Sequence, residues 1–159
     1  MLEALKNFIR DATETPEPET FLHDRKQLAE AALMYHVIAV DGVVRENERI
    51  RLAELLGNQF ELAENQLQNL LSEAKEAEQE AIDLYAFTSV LKRGLSYEDR
   101  TSIIGNLWEM VFADGVIHEL EDNVVWRVAE LLGVDSRDRM LLKQSVWKRQ
   151  SKEEESPLG

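Results

Sequence analysis

Apolar residues recur every three or four positions along most of this chain, the spacing of amphipathic helices, and no segment alternates as a strand requires. Leu2, Leu5, Phe8 and Ile9 predict a short helix over residues 2–11. Pro16 and Pro18, set among Glu14, Glu17 and Glu19, make the following stretch a linker, because proline cannot occupy a helix interior. From Thr20 to Val40 a broad apolar face (Phe21, Leu28, Ala31, Ala32, Tyr35, Val37, Ile38) predicts a long helix ending at Gly42. Shorter helices are expected over 46–56, stopped by Gly57, over 63–75, and over 81–93, stopped by Gly94. Ser96 is placed to cap a helix running to Ala113, with Glu98 and Asp99 in its first turn. Helices over 119–132 and 136–149 complete an all-α, compact bundle of seven to eight helices. The expected organisation is an N-terminal helix and linker (1–19), a helical domain (20–149) and a disordered polar tail (150–159).

One phrase in this pattern occurs twice. Ile38-Ala39-Val40-Asp41-Gly42-Val43-Val44-Arg45-Glu46-Asn47-Glu48 is answered by Val111-Phe112-Ala113-Asp114-Gly115-Val116-Ile117-His118-Glu119-Leu120-Glu121. Each copy leads into a stretch ending Ala-Glu-Leu-Leu-Gly, at Gly57 and at Gly133. Tyr35 and Trp108 stand at matching places before the two aspartates. The repeat therefore covers two helix–turn–helix units and predicts two helical hairpins related by an approximate two-fold.

Charge narrows the partners. With 31 acidic against 18 basic residues the net charge is −13, which repels nucleic acid and anionic membrane surfaces at long range. The chain has no cysteine, so disulfides, thiolate metal sites and thiol nucleophiles are excluded. No stretch reads as a signal peptide or an integral membrane segment, and a cytoplasmic protein is expected.

Two accounts of the repeated phrase stay open. In the first, Arg45 and His118 are helix N-caps, which puts Glu48 and Glu121 at the third helical position, where a carboxylate favours the helix start. Asp41 and Asp114 then accept bonds from turn amides. In the second, the carboxylates hold a divalent cation such as Ca²⁺ or Mg²⁺. Neither loop is an EF-hand, because glycine directly follows the first aspartate and two aliphatic residues fill ligand positions. Only converging loops bring Asp41, Glu48, Asp114 and Glu121 to one point, where four carboxylates need a cation, raised pKa values or water to coexist. Arg45 opposes a cation in the first copy. His23 with Asp24 and His118 with Glu119 are sequence neighbours without ligand spacing, and His36 lies within the long helix. No catalytic triad or phosphate loop is present. Trp108 and Trp126 read as core; Trp147 is either a partner anchor or a cover for the core's edge.

The doubled hydrophobic-Ala-x-Asp-Gly phrase, in an acidic helical chain of this length, resembles the TerB-like family. Its members include tellurite-resistance proteins, and the N-terminal domain of the DnaJ-type co-chaperone DjlA looks similar. The resemblance covers residues 20–149. It implies a seven-helix fold with pseudo-two-fold halves and acidic loop residues at one surface. It also implies a role for divalent cations at the positions that are here Asp41, Glu48, Asp114 and Glu121. The function expected from residues and resemblance together is a non-catalytic module for protein interaction or stress response, with Ca²⁺ or another divalent cation as its ligand. A metal-dependent hydrolase and an ion-free structural interaction protein are the alternatives.

Overall fold

A computed structural model describes residues 19–81, 84–113 and 115–155. The predicted helix over 2–11, its linker, Asp114 and residues 156–159 lie outside the described residues. Those described form seven helices: α1 (Glu19–Ala39), α2 (Glu46–Gln59), α3 (Glu64–Glu80), α4 (Tyr85–Gly94), α5 (Tyr97–Val111), α6 (Glu119–Leu131) and α7 (Ser136–Glu155). None of them is long and apolar enough to cross a membrane.

The most hydrophobic segments become the two central helices. In α1, Ala29, Ala31, Ala32, Leu33, Met34, Val37 and Ile38 are all fully buried, and α1 packs against every helix from α2 to α6. In α5, Ile103, Ile104, Leu107, Trp108, Met110 and Val111 are buried between α2, α6 and α7 as well as α1. Trp108 stacks on Phe112 at 5.5 Å and meets Trp126 edge-on at 5.8 Å. The Lys143 ammonium lies 5.0 Å from the Trp108 ring and is held there by Asp122 at 2.6 Å. Trp147 covers the core's edge, with its ring 5.1 Å from Phe112.

Several boundaries differ from the pattern. Gly57 does not stop α2, which runs on to Gln59; its backbone stays helical, and a Cβ there would meet Leu67 at 3.4 Å, an ordinary contact distance. Its counterpart Gly133 does end α6, with φ +70 and the Val134 amide bonded back to the Ala129 carbonyl. The glutamate-rich stretch after Ala74 continues α3 to Glu80, because Ala74 and Ala77 bury one stripe against the core. The predicted helix start at Ala81 moves to Tyr85, since Ala81 is the extended C-cap of α3. Helix α7 runs past Arg149 to Glu155; the added residues are sound helix formers, and extending a helix costs far less than starting one. Ser96 caps α5 as expected, its hydroxyl accepting the Asp99 amide at 3.1 Å.

Among the polar groups buried in the core is a glutamate of the first helix. Glu30 of α1 is 3% exposed and accepts a hydrogen bond from Gln59 of α2 at 3.1 Å; Gln59 in turn accepts one from Asn106 of α5 at 2.7 Å. Burial raises the Glu30 pKa from 4.5 to about 7, against the opposing pull of these amides.

Candidate functional site

Both repeated phrases fold alike. Helix α1 ends at Ala39, whose carbonyl accepts the Gly42 amide at 3.0 Å; α5 ends at Val111, and the Phe112 carbonyl accepts the Gly115 amide at 2.9 Å. Gly42 and Gly115 take φ values of +82 and +78, a conformation that costs other residues about 1 kcal/mol. The chain then leaves each turn extended and re-enters a helix through Arg45 and through His118, the N-caps of α2 and α6. Glu48 and Glu121 thus fall on the third residue of their helices, as the spacing predicts. Neither stays at the surface: both side chains are fully buried.

The two turns meet around one guanidinium. Arg45 donates to Asp41 at 2.9 Å within its own turn. Its other terminal nitrogen lies 3.6 Å from Glu48 and 3.5 Å from Glu121 of the opposite copy. Asp41 also accepts the Val43 amide at 3.0 Å, the turn bond expected of it. That backbone bond, then Arg45, and more weakly His118, hold the Asp41 carboxyl below its ordinary pKa. In return Asp41 raises the Arg45 pKa. Glu121 moves the other way, from 4.5 to about 9: burial is the largest cause, followed by the hydrogen bond and the charge of Glu48, with Arg45 opposing. The Glu48–Glu121 pair therefore holds a proton at neutral pH, which is how two carboxyls tolerate a shared dry site.

Of the four carboxylates expected here, the fold brings together Asp41, Glu48 and Glu121; Asp114 lies outside the described residues. It adds His118. One ligand-type atom each from Asp41, His118 and Glu121 lies within 4.8 Å of the others. Sequence spacing could not find this histidine as a ligand, because Asp41 comes from the other copy of the repeat. Its signal was positional, since it occupies in the second copy the place Arg45 holds in the first.

Two carboxylates and an imidazole suit a borderline divalent ion such as Zn²⁺ or Mn²⁺, whereas Ca²⁺ prefers six to eight oxygens. Arg45 already supplies positive charge at this point, so an ion entering among these side chains takes over its role as counter-charge. A cleft of about 630 Å³ lies elsewhere, between α2, the end of α5 and α7, lined by residues such as Arg51, Glu109 and Arg149.

The family model described as tellurite resistance protein TerB matches residues 27–144. Neither the curated proteins nor the solved structures yield a match. The matched span takes in most of α1, both turns, the whole of α2 to α6 and the first half of α7. On that evidence the chain belongs to the TerB family.

Proposed function

We propose that this protein is a non-catalytic interaction module whose two Asp-Gly turns jointly take up a divalent cation. The observation that carries the reading is the convergence of Asp41, His118 and Glu121 from opposite halves of the repeat, with Glu48 behind Glu121. Asp114, the counterpart of Asp41, is the remaining sequence candidate for this ligand set. A bound ion supplies structural charge that ties the two halves together. The chain's own part is to release the Glu121 proton and to let Arg45, a quarter exposed, turn toward water. Binding should therefore strengthen with rising pH.

A hydrolase is the weaker reading, because the spacious cleft is not lined by Asp41, His118 or Glu121. A cytoplasmic setting and a protein partner in a stress response accompany the proposal through the family resemblance. The test is thermal melting of the full chain titrated with Zn²⁺, Mn²⁺ and Ca²⁺, beside a variant carrying Asp41→Asn and Glu121→Gln. A saturable rise in Tm with Zn²⁺ or Mn²⁺, absent in the variant, is expected. No rise at millimolar ion sinks the reading, and a rise with Ca²⁺ alone overturns the donor set.

A further inference from the structure

The same two turns carry apolar side chains that the fold leaves uncovered. Val43 is 56% exposed, Val116 54%, Leu120 53%, Ile50 45%, Ile117 42% and Val44 39%. Single exposed aliphatics are ordinary, but Val43 with Val116 and Val44 with Ile117 occupy matching places on two turns that meet, and Ile50 and Leu120 extend the patch onto the helices that follow. A hydrophobic staple does not explain them. The residues that would have to receive Val44 and Ile117 in the first turns of α2 and α6 are Arg49 and Asp122, both charged.

We propose that this rim is a docking surface for a basic amphipathic helix of a partner protein. Charge complementarity selects that occupant. The described charged groups that reach solvent on this face are Asp41, Glu46, Glu119 and Asp122 against Arg45, Arg49, His118 and Lys143; Glu48 and Glu121 lie buried beneath it. Arg45 is held by Asp41, Arg49 by Glu46 and Lys143 by Asp122, which leaves the exposed Glu119 and a chain of net charge −13 to attract cations. A second copy of the chain brings the same sign and is repelled. Ile50 also lines the cleft of about 630 Å³, so the rim continues into a trough with Glu54 on its wall. Arg51 and Arg149, the cations of that trough, are both held by Glu109.

The chain's own N-terminal segment also carries Leu2, Leu5, Phe8, Lys6 and Arg10. Over residues 1–19, however, Glu3, Asp11, Glu14, Glu17 and Glu19 outnumber Lys6 and Arg10, so this segment is acidic and lacks the complementary charge.

The proposal rests on the interaction-module reading and not on the ion, so its test is run in chelator. A fluorescent peptide of roughly 14 residues, with leucine on one helical face and lysine on the other, is titrated with the full chain. Saturable binding is expected, weakened by salt and lost when glutamate replaces lysine. Binding should fall about tenfold in the doubly substituted chain Val44→Ser, Ile117→Ser. If that variant does not fold, Val43→Ser with Val116→Ser serves in its place. Several outcomes overturn the proposal: no binding by the full chain, equal binding by the serine variants, or equal binding of the glutamate peptide. It also falls if deleting residues 1–18 raises affinity, which makes the chain's own segment the occupant. Concentration-dependent dimerisation abolished by the serine changes would do the same for a second copy.

Discussion

Replacing Glu121 with Gln asks whether the centre of this protein stores a proton. The folded chain keeps that proton until pH rises to about 9, whereas an unfolded glutamate releases it near 4.5. Between those values the native state binds one proton more than the unfolded state, so stability falls as pH rises, by about 1.4 kcal/mol per unit. The contribution is complete below 4.5 and is lost as pH passes through about 9. From pH 5 to pH 7 the loss is about 3 kcal/mol. Glutamine has the shape of the protonated acid and no proton to lose. Glu121→Gln should therefore equal or exceed the parent at pH 7, with a pH slope shallower by about 1.4 kcal/mol per unit. Urea unfolding in chelator at several pH values between 5 and 8 measures both quantities. A variant several kcal/mol less stable at every pH, with an unchanged slope, would refute the reasoning. That result belongs to an ionised carboxylate gripped by Arg45.

Glu30→Gln should likewise flatten the stability profile, because a folded pKa of about 7 makes the parent lose stability as pH climbs from 4.5 through 7; melting temperatures from pH 5 to 8 check this. Gly42→Ala should cost about 1 kcal/mol through its left-handed backbone alone, as nothing lies near its missing Cβ. Gly57→Ala, on a helical backbone with Leu67 in ordinary contact range, should be neutral or stabilising in the same urea assay. Arg45→Gln should lower stability without ion yet strengthen Zn²⁺ binding about tenfold, as read by the ion-dependent rise in Tm, because it removes the resident positive charge.

Most of the fold was legible because helix periodicity is a local signal. Leu107, Trp108 and Val111 announce the inner face of α5 without reference to any other segment. Gly57 misled because a glycine inside a helix and a glycine that ends one look identical in sequence. The helix expected over 63–75 falls short because beyond it only Ala77 marks the buried stripe. At the site, the twofold recurrence of the phrase exposed Asp41, Glu48 and Glu121 and gave the N-cap roles of Arg45 and His118. What stayed hidden was tertiary. The inward turn of the two glutamates and the meeting of His118 with Asp41 depend on the packing of one hairpin against the other.

The single arginine at the axis has a bearing on how such a chain can be built. Two identical hairpins would confront either two guanidiniums or two imidazoles across the interface, and each choice forfeits something. Paired arginines repel one another, while paired histidines give up the permanent charge that steadies the carboxyls. By placing Arg45 in one half and His118 in the other, the chain acquires a centre that no symmetric dimer of either hairpin can reproduce. Inequality of the two halves is thus a condition of the centre, and either hairpin expressed alone would lack it.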